Sequence, residues 1–159
     1  MADIVALNSG IDDINPENIP KELKEKPRWL LWQWELRSDG KGGLKKTKPP
    51  YQVNGKKAKV NDPETWTTYE KALEELILSK SKNGSDTKSR YGGIGFVLSD
   101  DDDIMAWDLD HCIDYKNATI EPWAEAIITQ LNSYTEVTPS GEGLRIFVKG
   151  DLPPGRRKK

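Results

Sequence analysis

The chain has 159 residues, long enough for one ordinary hydrophobic core, and its 24 basic and 26 acidic side chains nearly cancel to a net charge of −2. That balance excludes a uniformly basic nucleic-acid coat and an acidic, disordered solubiliser. One cysteine (Cys112) and one histidine (His111) exclude a disulfide scaffold and a multi-cysteine zinc site, and leave almost nothing for Ser-His or Cys-His catalysis.

Residues 1–26 are polar and punctuated by proline, and read as an irregular arm with a short helix around 21–26. They lack a basic region followed by an apolar run, so no secretory signal is expected. Residues 28–36 (RWLLWQWEL) predict a strand. A glycine-rich turn and a second strand over 44–53 complete a hairpin, with Pro49 and Pro50 making that strand an edge or an interrupted one. Asp62-Pro63 predicts a helix start, and Trp66, Tyr69, Leu73, Leu76 and Ile77 continue at helical spacing. A polar loop over 79–90 leads to an apolar strand over 91–99, an acidic turn over 100–103 and a strand over 104–110. A helix over 121–132 carries Trp123, Ala124, Ile127, Ile128 and Leu131 as one stripe. Strands over 133–138 and 144–149 flank a turn over 139–143. The pairing of strands between helices predicts an α+β fold, an antiparallel or mixed sheet with helices packed on it. No run approaches about 18 apolar residues, so no membrane span is expected. The six tryptophans fall mostly on core faces and read as packing rather than as platforms for bases.

Asp108-Leu109-Asp110 carries the sharpest chemistry. On a strand the two carboxylates share a face while Met105, Trp107 and Leu109 anchor the other. Two close carboxylates repel unless a cation lies between them, and a hard divalent ion suits oxygen ligands. The same pattern also suits a solvated strand end. It is no EF-hand loop, because Cys112 and Ile113 stand where that loop needs Asp or Asn and then Gly. Thr138-Pro139-Ser140-Gly141-Glu142-Gly143-Leu144-Arg145 is a glycine-rich turn entering a strand. Its backbone N–H groups and the Arg145 guanidinium suit a triphosphate, although an ordinary hairpin turn fits as well. The Walker A spacing is absent. Lysines at 41–48, 56, 57 and 59, with the basic terminus 156–159, could follow a phosphate backbone or form a solvated charged hairpin. His111 could line the site or ligate a metal, but its parity places it with Leu109. Glu136 precedes the glycine turn and could approach a metal.

In order, the chain shows a Trp-rich hairpin with Lys48-Pro49, Asn61-Asp62-Pro63-x-x-Trp66, Gly92-Gly93-Ile94-Gly95-Phe96-Val97, Asp108-Leu109-Asp110-His111-Cys112, then Ser133-Tyr134-x-Glu136-x-x-Pro139-Ser140-Gly141-x-Gly143-Leu144-Arg145, and Gly150-x-Leu152-Pro153. This set resembles the N-terminal catalytic domain of phage- and plasmid-type primase-polymerases of the archaeo-eukaryotic primase superfamily, over roughly residues 27–157. The resemblance implies an RRM-like catalytic core that occupies residues 27–159 as part of a longer protein and is incomplete at its C-terminus. It implies a nucleotidyltransferase that moves a nucleotidyl group from an NTP or dNTP to a 3′-hydroxyl on a DNA template or primer. Asp108 and Asp110 would hold two Mg²⁺ or Mn²⁺ ions, and Ser140, Gly141, Gly143 and Arg145 would receive the triphosphate. Many members carry His where this chain has Arg145. Their third acidic motif lies on a strand beyond the second, and Lys159 comes before any such strand, which leaves full activity of these 159 residues in doubt. The resemblance further implies a replicative helicase as fused domain or partner, and a cytoplasmic place of action in a bacterial or phage-infected cell. The rival reading is a non-catalytic module, derived from a primase fold, that binds nucleotide or single-stranded DNA. A replication-initiator nuclease needs paired histidines and a tyrosine, and one histidine argues against it.

Overall fold

A computed structural model describes residues 4–6, 14–81, 90–99, 103–114 and 116–150. Most of the loop expected over 79–90, most of the acidic turn at 100–103, the motif after Gly150 and the basic terminus lie outside the described residues. The chain divides into two compact units.

The first unit takes in residues 1–8, 14–19 and 98–159. Its four-stranded sheet begins with β1 (Ile4–Ala6), a strand inside the segment read as an irregular arm. The second unit, residues 9–13 and 20–97, opens with helix α1 (Lys21–Lys24) and strand β2 (Trp29–Trp32). Hairpin strands β3 (Glu35–Ser38) and β4 (Leu44–Thr47) follow, then the two-residue strand β5 (Pro50–Tyr51). The predicted strand over 28–36 is therefore broken at Gln33-Trp34, and the one over 44–53 is broken at Lys48-Pro49. Proline at 49 has no ladder donor, and β5 lies at an edge, as the prolines require.

Asp62 caps a short 3-10 turn, Pro63–Thr65, accepting from the Glu64 N–H at 3.3 Å. The helix expected to run on from there stops instead. Thr67 exchanges backbone hydrogen bonds with Trp29, and α2 (Tyr69–Ser81) starts afresh. Strand β6 (Gly93–Phe96) completes a three-stranded sheet ordered β5-β2-β6. Gly92 and Gly93 lie beneath the Trp32 ring. A Cβ would come within 2.2 Å of that ring at 92 and 2.9 Å at 93, so these glycines serve packing. Trp29, 2% exposed, meets Tyr69 and Phe96 edge-on at 5.1 and 5.3 Å and donates to the Leu23 carbonyl. Leu30, Ala58 and Val97 form a buried cluster with Trp66 against it.

In the first unit β7 (Ile104–Leu109) is followed by a small hairpin, β8 (Ile113–Asp114) and β9 (Thr119–Ile120), and by α3 (Pro122–Leu131). Pro122 suits the first helical position, and Asn132 ends the helix in the left-handed region at φ 42°. Strands β10 (Thr135–Val137) and β11 (Leu144–Lys149) complete the sheet in the order β1-β10-β11-β7. β1 pairs parallel with β10, and the other pairs are antiparallel. Leu109, Cys112, Leu144 and Ile146 pack with Ala124 and Ile128 of α3 in one buried cluster. Burial of a side chain such as Leu144 or Ile146 contributes about 2 kcal/mol. Trp107 and Trp123, expected in the core, are each 47% exposed. The α+β class therefore holds, with mostly antiparallel pairing and few helices.

Candidate active site

Residues opposite one another on paired strands point to the same face. On β11, Arg145 stands opposite Asp108 of β7 on one side and Glu136 of β10 on the other. The three side chains form a row across the sheet. The alternate residues Leu144, Ile146 and Leu109 face the α3 core, which pins the strands that carry the row. The Arg145 guanidinium grips Asp108 with two hydrogen bonds, Nε to Oδ1 at 2.6 Å and Nη2 to Oδ2 at 3.2 Å. Asp110 falls one residue past the end of β7, exposed, in the turn that follows. Burial works against the Arg145 charge, yet Asp108 above all, then Glu136 and Asp110, outweigh it and raise its pKa. Asp108 and Glu136 thus flank one guanidinium, and the Asp110 charge adds to its retention from farther away.

Glu136 is the unusual member. It is 9% exposed, and burial pushes its carboxyl up to about 7 although Arg145 and the Tyr134 hydroxyl, donating to Oε2 at 3.3 Å, pull the other way. Tyr134 and Phe147 lie on the same face, their ring centroids 5.7 Å apart. Sequence reasoning offered Glu136 only as a residue that could approach a metal. Its signal was parity: Thr135 and Val137 alternate with it just as Leu144 and Ile146 alternate with Arg145.

The glycine turn is fixed by backbone demands. Gly141 has φ 79°. A Cβ on Gly143 would come within 2.7 Å of the Leu109 carbonyl oxygen, so this glycine lets the turn lie against the end of β7. Cys112 and Ile113 N–H groups donate to the Glu142 carbonyl at 2.9 and 3.2 Å and hold the two turns together. The N–H groups expected to face a phosphate are partly engaged within the turn. Gly141 N–H donates to the Thr138 carbonyl at 2.7 Å and Glu142 N–H to Ser140 Oγ at 3.4 Å. Ser140 is exposed, and its hydroxyl shares a hydrogen bond with that of Thr138 at 3.0 Å. His111 adopts φ 53° in the exposed turn, with Nδ1 3.4 Å from Glu142 Oε2. That positive φ takes it off the strand, so the parity argument does not apply to it. Burial pushes the Cys112 thiol up, away from the reactive thiolate. Lys48 belongs to the other unit, where its ammonium lies 5.6 Å from the Trp34 ring centroid.

Among the described residues no three His, Cys, Asp or Glu side chains come together as a ready-made ligand set. Asp108 and Asp110 are the residues that could offer oxygens to Mg²⁺, which takes one or two carboxylates and completes its shell with water and substrate phosphates. Asp108 and Asp110 against the one Arg145 guanidinium also leave negative charge for a cation to offset.

No family model matches the chain. Over 136 residues it is 35% identical to a DNA primase-polymerase of Nitratiruptor phage NrS-1. The match takes in 84% of this chain and 16% of the relative, so the chain spans about a sixth of the length of the curated relative it matches. This similarity relates the chain to primase-polymerases. Among the described residues no helix is long and apolar enough to cross a membrane.

Proposed function

We propose that the chain forms the nucleotidyl-transfer part of a DNA primase-polymerase, with an RRM-like core, acting on a DNA template and primer with NTP or dNTP. The observation that carries this reading is the row Asp108–Arg145–Glu136, set in register on three strands of one sheet. Asp108 and Asp110 would hold Mg²⁺ or Mn²⁺, which when bound neutralises triphosphate charge and favours the ionised 3′-hydroxyl in an in-line displacement. Arg145 then leaves Asp108 for a phosphate oxygen of the nucleotide, as a fork-shaped cation suits. Glu136, behind it on β10, keeps the guanidinium on this face once Asp108 is engaged elsewhere. Ser140 offers a hydroxyl at the exposed lip of the turn. The third acidic motif, a helicase partner and a cytoplasmic place of action belong to the same proposal for the longer protein.

Primer synthesis and extension by the longer parent protein test this reading. Asp108→Ala/Asp110→Ala is expected to abolish both, and undiminished activity in that variant ends the assignment. One observation favours a non-catalytic binding module instead: Arg145 already holds both oxygens of Asp108, and no three-ligand cluster stands ready among the described residues. A parent protein inactive at every metal and nucleotide concentration, yet retaining affinity for DNA, selects that alternative.

A further inference from the structure

The β3–β4 ribbon of the second unit is a sheet of its own, so among the described residues neither of its outer edges has a partner strand. Along such an edge alternate residues turn their N–H and C=O groups outward. The ribbon is fixed at its base. Glu35 is bound there by Lys57, Tyr51 and Arg37, and Gln33 donates to the Tyr51 hydroxyl at 2.7 Å. The Lys57 and Tyr51 hydrogen bonds hold the Glu35 carboxyl down to about 2, so its charge is engaged at the base and stays ionised.

The two edges differ in charge. Residues 40–59, which include β4, hold seven lysines and no acid within a chain of net charge −2. In the ribbon register Leu36 opposes Lys46 and Ser38 opposes Leu44, so these four share one face, and Lys45 opposes Arg37 on the other. Leu36 and Leu44 are diagonal neighbours on their face, 67% and 70% exposed. Lys45 is exposed, and among the described residues its ammonium has no partner. The Lys46 ammonium lies 4.0 Å from the Trp34 ring centroid, and Trp32 meets the same ring edge-on at 5.4 Å. Lysine thus covers a face of that ring, which is not left open for a flat base.

We propose that the outer edge of β4 captures an extended acidic segment of a partner protein, which adds to the ribbon as a third strand. Side chains of the added strand lie beside Leu44 and Lys46 on one face and beside Lys45 on the other. The matching sequence is therefore two consecutive acids next to an apolar residue. The open backbone edge decides for a peptide, since a peptide strand completes the ladder of hydrogen bonds. The lysines decide against a second copy of this edge, because pairing two β4 strands sets lysine beside lysine. This inference goes beyond the nucleotidyl-transfer reading and does not depend on it.

The test is fluorescence anisotropy of the whole chain with a labelled short peptide that has Asp-Asp-Leu at its centre, flanked by Thr and Val. An added strand uses the N–H groups of one alternate set of its residues. Methylating that set should weaken binding more than about tenfold, and methylating the other set should change it by less than about twofold. Lys45→Glu/Lys46→Glu should weaken the unmethylated peptide about tenfold. Lys71→Glu/Lys116→Glu makes the same charge change elsewhere and should bind like the parent. Should the first variant unfold, the two methylated peptides decide alone on the parent chain. Equal effects of the two methylated sets, equal losses in the two lysine variants, or no binding at about 1 mM peptide would overturn the proposal. So would displacement by oligo-dT of a peptide whose methylation is tolerated in both sets, which marks a plain polyanion surface. Asp108→Asn/Asp110→Asn should bind the peptide like the parent. Failure of the transferase reading and failure of this edge are therefore separate results.

Discussion

Glu136→Gln removes a buried carboxyl at nearly constant volume. In the folded chain this group titrates at about 7 rather than at its ordinary 4.5, because burial disfavours the charge more than Arg145 and Tyr134 favour it. Between those two values the folded state binds more protons than the unfolded state, so stability falls as pH rises through the interval. The gap corresponds to about 3 kcal/mol in all, of which about 2.5 kcal/mol falls between pH 5 and pH 8. Glutamine has no such titration. Urea unfolding followed by far-UV circular dichroism at those two pH values measures the difference. From pH 5 to pH 8 the parent chain should lose about 2.5 kcal/mol more than Glu136→Gln, a relative midpoint shift of about 1.2 M if the urea slope is near 2 kcal/mol/M. Equal pH dependence in the two proteins would show that the Glu136 carboxyl is not held in its neutral form by burial.

Two further substitutions test the glycine turn and the guanidinium. Gly143→Ala places a methyl against the Leu109 carbonyl oxygen and should cost about 1–3 kcal/mol, read as a melting temperature lower by several degrees; a variant that melts like the parent contradicts the packing of the turn on β7. Arg145→Lys replaces a two-point grip with a single ammonium. With the ion pair half exposed, stability should change by less than about 1 kcal/mol. Affinity for dNTP in the presence of Mn²⁺, measured by calorimetric titration, should fall about tenfold, the loss of one charge-assisted hydrogen bond.

Strict alternation made β7 and β11 legible, and it also set Asp108 and Arg145 on faces that pairing could bring together. The α3 stripe was legible for the same reason, since Ala124 and Ile128 do face the core. What stayed hidden depends on contacts distant in sequence. Ile4–Ala6 is too short to announce itself, and becomes a strand because Thr135–Val137 offers a parallel edge. The helix over 62–77 fails at Trp66 because Thr67 is claimed by Trp29, a pairing that local spacing does not encode. Trp107 alternates as a core residue should, but the sheet leaves it half exposed. Glu136 is buried by the convergence of β10, β11 and their aromatic neighbours, and nothing in residues 133–138 alone reveals that. The glycines at 141 and 143 were visible as a motif, whereas the engagement of the turn's own N–H groups was not.

The melting temperature of the chain with Mn²⁺ alone, with dNTP alone and with both tests most directly whether Asp108, Asp110 and Arg145 form one metal-dependent nucleotide site. With ligand at a hundred times its dissociation constant, binding stabilises by about 2.7 kcal/mol, a rise of about 5–10 °C for a chain of this size. The expected result is a rise of that size only with both present, lost in Asp108→Asn/Asp110→Asn. No rise in the parent, or an equal rise in the double variant, would contradict the account.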